Sequence, residues 1–217
     1  TDETLSIASE FPNVLVIQRE FDHFAAQCHF GMGHIEAPWI LSLDADYKCP
    51  LAMAAEFEQL DDSCAGYKAR FHYCIFGKRL RATLYPPRVV LYKKSAATYI
   101  RDGHAHRVKI DGIVGKLKSE IDHDDRKSLT TWCESQVRYA KHEANKILTE
   151  GKNESVRLGW KDRIRRCYVV APVLTLFYCL FAKLLILDGW RGIYYTLQRV
   201  LAETILSSTL LDRKLRG

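Results

Sequence analysis

A layered α/β domain followed by basic, apolar helices is what this sequence of 217 residues predicts, and three observations predict it. Short apolar runs alternate with segments of helical length over the first sixty or so positions, the pattern of strands and helices stacked in layers with parallel strands. One of those runs, Trp39-Ile40-Leu41-Ser42-Leu43, stops abruptly at two carboxylates, Asp44 and Asp46. Charge and hydropathy then change together: residues 1–150 hold 20 Lys/Arg against 21 Asp/Glu, and residues 151–217 hold 12 against 5. The formal net charge of +6 therefore sits wholly in the C-terminal part. Two regions follow, 1–150 as the α/β domain and 151–217 as the basic helices.

The elements can be justified in order. Thr1 or Asp2 can cap a short helix through Ala8, and Asn13-Val14-Leu15-Val16-Ile17 is an apolar, β-branched run expected to form a strand. A second helix is expected over much of His23 to Glu36, weakened near its end by Gly31 and Gly33. Ile40 to Leu43 are too few for a helix and have no helical period, so they are expected to form a buried strand. Pro50 to Leu60 follows as a helix with proline in its first turn. From Ala65 to Ile110 the pattern alternates, with strands expected at Tyr67–Phe71, Arg88–Tyr92 and Arg107–Ile110, broken at Gly77-Lys78 and Tyr85-Pro86-Pro87. Ser119–His123 is one more short strand. Lys127–Glu150 is a long amphipathic helix, with Leu129, Trp132, Val137, Ala140, Ala144 and Ile147 recurring every three to four residues. Lys152–Arg157 is a polar linker. Tyr168–Leu187 is apolar except for Thr175 and Lys183, Asp188–Gly192 is a turn, and Ile193–Leu211 is a second helical run.

Composition narrows the class. With 47% hydrophobic residues the chain can bury a core and is not a disordered one. Its seven cysteines are odd in number and contain no Cys-x-x-Cys, which predicts reduced thiols. The basic residues of the C-terminal part flank long apolar runs instead of interleaving with stacking aromatics. That argues against nucleic acid as the partner and for an anionic membrane surface.

Residues i and i+2 of a strand share a face, so Asp44 and Asp46 are expected to project to one side where the strand leaves the sheet. Two carboxylates a few ångströms apart repel unless a positive group lies between them. Oxygen ligands suit Mg²⁺ or Mn²⁺ better than zinc. Asp-x-Asp is also a common polar start to a loop. Arg88 and Arg107 are candidate phosphate contacts that read equally well as ordinary strand-edge charges. Asp102-Gly103 suits a hairpin turn, and Asp124 or Asp125 suits the cap of the following helix.

Taken together, Thr1-Asp2-Glu3-Thr4, the Leu43-Asp44-Ala45-Asp46 block, Asp102-Gly103-His104 and His123-Asp124-Asp125-Arg126-Lys127 resemble family 2 glycosyltransferases. The likeness is greatest to the bacterial lipopolysaccharide-core and cell-surface polysaccharide glucosyltransferases. It extends along the chain and includes Trp132, Gln136, Tyr139 and Glu143 on the long helix and the Leu187-Asp188-Gly189 turn. The resemblance implies a GT-A fold, a three-layer α/β/α nucleotide-binding domain, and transfer of a hexose from a nucleotide sugar, such as a UDP-hexose, with inversion. It also implies that Asp46 holds the Mg²⁺ or Mn²⁺ bridging the diphosphate and that Asp44 contacts the ribose or the metal. His123 would complete the metal or diphosphate shell. The base is expected in the Asp102–His104 region or in the Asp124–Asp125 pair, chain order favouring the former. In the family an earlier strand binds the nucleobase, so this reading expects an N-terminally truncated domain. The acceptor would be a lipopolysaccharide-core or lipid-linked glycan at the cytoplasmic face of the bacterial inner membrane. The C-terminal helices are expected to lie there as an interfacial hairpin, with a membrane span and packing on the domain as the alternatives. A non-catalytic, membrane-associated scaffold descended from such an enzyme is the rival reading.

Overall fold

The computed structural model describes residues 3–102, 105–150 and 159–216, without the side chains of residues 101, 102, 105–107, 150 and 161. The strands are β1 (Trp39–Leu41), β2 (Tyr47–Lys48), β3 (Cys64–Ile75), β4 (Lys78–Arg79), β5 (Arg88–Lys93), β6 (Ala97–Asp102), β7 (Ala105–Ile110) and β8 (Ile113–His123). The α-helices are α1 (Thr4–Ser9), α2 (Phe24–Gly33), α3 (Ala52–Phe57), α4 (Leu129–Glu150), α5 (Trp160–Arg165), α6 (Val170–Phe177) and α7 (Trp190–Arg216).

A mixed sheet in the order β1-β5-β3-β8-β2 organises the first part, with β4 paired to the end of β3 and β6–β7 forming a separate ribbon. β3 is central and buried at both ends, while in its middle Lys68, Arg70 and the half-buried His72 share one face that is open to solvent. The expected all-parallel layering does not form: β3–β8 is the one parallel pair of the sheet, and β1–β5, β3–β5, β3–β4 and β2–β8 are antiparallel. The reason lies in the connections. For β3–β4 it is the turn at Gly77, φ +75°, which sends the chain straight back and leaves too few residues for the dozen or so that a parallel crossover needs.

Two expected elements differ in kind. Val14 to Ile17 form no strand. They join no described strand, the Val14 amide donates to the Phe11 carbonyl at 3.1 Å instead, and Val14, Leu15 and Val16 are exposed; β propensity is realised only where a neighbouring edge is available. The apolar run Tyr168–Leu187 is not one helix. Tyr168 (φ 51°) and Leu184 (φ 55°) take left-handed backbone, and between them α6 passes into a π turn at Tyr178–Ala182, followed by a 3₁₀ turn at Leu185–Asp188. Pro172 is harmless at the third position of α6, where the N–H has no helical acceptor in any case. Among the described residues no helix is long and apolar enough to cross a membrane. The Lys152–Arg157 linker lies outside the described residues.

The C-terminal helices share cores with the sheet. Tyr73, Ile75 and Leu80 pack with Cys179, Leu185 and Tyr195, and Ala140, Ala144 and Ile147 of α4 pack with Leu206 and Leu210 of α7. Leu129 and Val137, which the helical period places with the core, are exposed on α4. Polar contacts reinforce the join: Arg81 Nε donates to Asp188 Oδ1 at 3.0 Å, and the Leu84 amide donates to the Tyr195 hydroxyl at 2.9 Å. Gly192 is required by closeness, since a Cβ there would lie 1.8 Å from the Leu185 carbonyl oxygen. All seven cysteines are free thiols.

Candidate metal centre

The pairing of β2 with β8 builds the site. Its register sets Tyr47 opposite His123, so that the residues just outside it, Asp46 and Asp124, also meet, and the Asp124 amide donates to the Asp46 carbonyl at 3.0 Å. Past His123 the chain runs on irregularly through residue 128. Asp46, His123 and Asp125 thereby converge, and one ligand atom from each lies within 4.8 Å of the others. His123 Nε2 is 3.2 Å from Asp46 Oδ2. Asp46 Oδ1 and His123 Nδ1 are buried without a hydrogen-bond partner, a costly arrangement for polar atoms unless something positive or hydrogen-bonding completes it.

Aromatic rings fix the imidazole. Tyr85, Tyr73 and Tyr47 have ring centroids 4.6, 4.9 and 5.3 Å from that of His123, and the Tyr47 and Tyr85 hydroxyls are hydrogen-bonded at 2.5 Å. Burial pushes both phenols up, so they remain neutral packing partners. On the open side stands Lys127, whose Nζ is 3.0 Å from Asp125 Oδ1 and 3.7 Å from Asp46 Oδ2. The hydrogen bond from His123 holds the Asp46 carboxyl below its usual value against the opposing effect of burial, helped by the charge of Lys127. Burial opposes the charge on Lys127, yet Asp125 and Asp46 together raise its ammonium above the usual value.

The other expected site residues divide. Asp124 is buried and committed elsewhere: it accepts from the Gly77 amide at 3.2 Å and from Arg126 Nε at 2.8 Å, with Lys48 at 3.8 Å. Burial works against its charge, but Arg126, Gly77 and Lys48 outweigh that and lower its pKa. Neither Asp124 nor Asp125 caps α4; the Ser128 hydroxyl does, accepting from the Thr131 amide at 3.2 Å. Asp44 is exposed and stands outside the three-residue cluster. The strand ends at Leu41, and Asp44 to Asp46 lie in a turn closed by the Tyr47 amide on the Asp44 carbonyl at 3.0 Å. The alternation that would put the two carboxylates on one face therefore does not apply. Arg88 stacks on the Tyr85 ring at 4.9 Å, one aromatic ring away from His123. Asp102 and Arg107 pair with Ala105 and Ile100 through their backbones; their side chains, and His104 entirely, lie outside the described residues.

Asp125 as a ligand partner and the tyrosine enclosure are not expected from the sequence. The signal for Asp125 is nearness alone, since it stands two residues beyond His123, where the strand ends. Glu143 and Asp188, which belong to the resembling blocks, serve packing here through Arg165 and Arg81. No protein-family model matches the sequence, and no curated protein matches it.

Proposed function

We propose that the chain is a metal-dependent, inverting glycosyltransferase that moves a hexose from a nucleotide sugar to a lipopolysaccharide-core or related lipid-linked glycan, at the cytoplasmic face of a bacterial inner membrane. The observation that carries the reading is the convergence of Asp46, His123 and Asp125, one ligand atom of each lying within 4.8 Å of the others. The resemblance of the surrounding blocks to family 2 glycosyltransferases supplies the reaction. The two carboxylates suit Mn²⁺ or Mg²⁺, and the imidazole beside them favours Mn²⁺ of the two. A divalent ion held there would neutralise charge developing on the departing diphosphate.

The chain's own residues have distinct parts in this reading. Asp46 and His123 are positioned by the β2–β8 register and the tyrosines, and Arg88 offers a cation for phosphate oxygens. An acceptor hydroxyl attacks the anomeric carbon as the bond to the diphosphate breaks, and a carboxylate takes the hydroxyl proton. Asp124 is a poor base, because its lone pairs are engaged by Arg126 and Gly77 and its pKa is lowered. Chain order, as in the resembling family, leads the reading to assign the proton to Asp102.

One observation favours the rival, a non-catalytic scaffold: the Lys127 ammonium already supplies positive charge to Asp46 and Asp125. Calorimetric titration with UDP, with and without Mn²⁺, separates the two for the wild type and Asp46→Asn. Binding that requires both the metal and Asp46 supports the enzyme. Metal-independent binding removes the metal from the reading, and no binding removes the donor site and leaves the scaffold.

A further inference from the structure

We infer that the α5–α7 region is a docking face for an anionic lipid bilayer, one that lies in the interface and does not cross it. The inference rests on geometry separate from the metal cluster and stands whether or not that cluster binds an ion.

An amphipathic helix packed on a domain normally turns its apolar stripe inward. Here the reverse stripe is apolar too. On α6 and the π turn the inward residues Ala171 and Cys179 are buried, while Val170, Val173, Leu174, Phe177, Tyr178 and Phe181 are exposed. Their spacing of three and four residues makes one continuous outer face. Phe177 and Phe181 stack on each other with centroids 6.0 Å apart, and each is 55% exposed. α7 packs on α6 and keeps its own outer apolar row, Trp190, Ile193 and Leu197. A patch of this extent marks a surface that something covers.

Charge identifies the occupant. From residue 159 to 216 the sequence holds ten Lys/Arg and four Asp/Glu, and each of the four acids is paired. Asp162 and Glu203 meet Arg165, Asp188 meets Arg81, and Asp212 meets Arg216. No acidic residue occurs from 163 to 187. Arg163 and Arg166 are exposed and meet no carboxylate among the described residues. Lys183 lies over the Tyr178 ring at 5.6 Å and Arg191 over the Trp190 ring at 4.4 Å. Basic heads beside half-exposed Trp and Tyr on an apolar face are what the boundary between acyl chains and lipid phosphates selects. A second copy of the chain would bring like charge against this fringe. Since no described helix can span a bilayer, the face meets the lipid from one side.

The test is vesicle flotation of the full chain with phosphatidylglycerol/phosphatidylethanolamine vesicles, beside vesicles of phosphatidylcholine alone. The wild type should float with the anionic vesicles, less with the neutral ones, and less in high salt. Phe177→Glu/Phe181→Glu should lose about tenfold in binding, and Lys183→Glu should weaken binding to anionic vesicles alone. Both phenylalanines are half-exposed, so thermal melting of the double variant should match the wild type. Wild-type protein that stays at the bottom of the gradient, or a double variant that floats as well as wild type, overturns the inference. So does a wild-type dimer in solution that the double substitution dissociates without any effect on flotation, which would make a second copy the occupant.

Discussion

Replacing Lys127 by methionine should tighten, not weaken, the binding of a divalent ion. Its ammonium lies 3.0 Å from Asp125 Oδ1 and 3.7 Å from Asp46 Oδ2, so it competes for the charge an ion would meet. The Lys127 side chain is 48% exposed, and half-exposed pairs are worth only about 0.2–1 kcal/mol each after solvent screening. Together the two pairs oppose an incoming ion by about 0.5–2 kcal/mol, which corresponds to about 2- to 30-fold tighter binding in the variant. Methionine keeps the length of the stem and its packing while removing the charge. Lys127→Arg serves as the control and should bind as weakly as the wild type. The assay is titration with Mn²⁺ in the absence of nucleotide, followed by calorimetry or by the loss of the free-ion paramagnetic signal. Equal or weaker binding by Lys127→Met would refute the reasoning, because Asp46 and Asp125 would then not be the groups that Lys127 and the ion share.

Three further expectations concern stability, and urea or thermal unfolding reads each of them. The Asp124 and Asp46 carboxyls titrate below the ordinary aspartate range in the folded chain, so their contribution is present above about pH 4 and is lost as pH falls through the lowered values. Asp124→Asn should cost about 1.5–3 kcal/mol at pH 7 and flatten the acid limb of the stability curve; an unchanged acid limb would show that another group governs it. Gly192→Ala must move the Leu185 carbonyl, 1.8 Å from the new Cβ, and should cost about 1–3 kcal/mol or more, whereas a wild-type melting temperature would contradict the close approach of α7. Arg165 is 26% exposed and meets Glu203 at 2.8 Å, Glu143 at 3.2 Å and Asp162 at 3.5 Å. Arg165→Met leaves these carboxylates together and should cost about 2–4 kcal/mol, with partial recovery when Glu203→Gln is added.

Much of the fold is written in local pattern, and what is not depends on partners. β5 lies where the sequence places it, whereas β3 and β8 are longer than their local patterns, β8 beginning at Ile113 where only Ser119–His123 is expected. α4 is legible because Trp132, Ala140, Ala144 and Ile147 keep the helical period and are buried. β2 is two residues long and has no propensity signal; it exists because Tyr47 finds His123. Val14 to Ile17 show the converse, a strong strand signal that finds no edge to pair with. The site follows the same rule. Alternation predicts that Asp44 and Asp46 share a face, but the turn at Asp44 cancels it. Asp125 reaches the same side as His123 although the strand ends at His123, so irregular backbone and not alternation brings it there. Asp46 is the legible member of the cluster, and its partners depend on a register that sequence alone does not reveal.

The site and the helical face are linked through one side chain. Tyr73, near the end of β3, has its ring 4.9 Å from His123 and 4.8 Å from Tyr195 of α7. Tyr195 in turn holds the Leu84 amide by its hydroxyl, and Leu84 adjoins Tyr85, whose ring lies against His123. Arg81, in the same loop, holds Asp188 at the entrance to α7. The loop between β4 and β5 is thus clamped by the helices on one side and presses on the imidazole on the other. If α7 were only an anchor, Tyr195→Phe would leave ion binding untouched. With this chain of contacts it frees the Leu84 amide and loosens Tyr85, and Mn²⁺ binding should weaken by about two- to tenfold, the effect of losing one hydrogen bond of about 0.5–1.5 kcal/mol that orients a ligand from behind. A variant that folds as the wild type does and binds Mn²⁺ with undiminished affinity would show that the helices and the site are neighbours without being coupled.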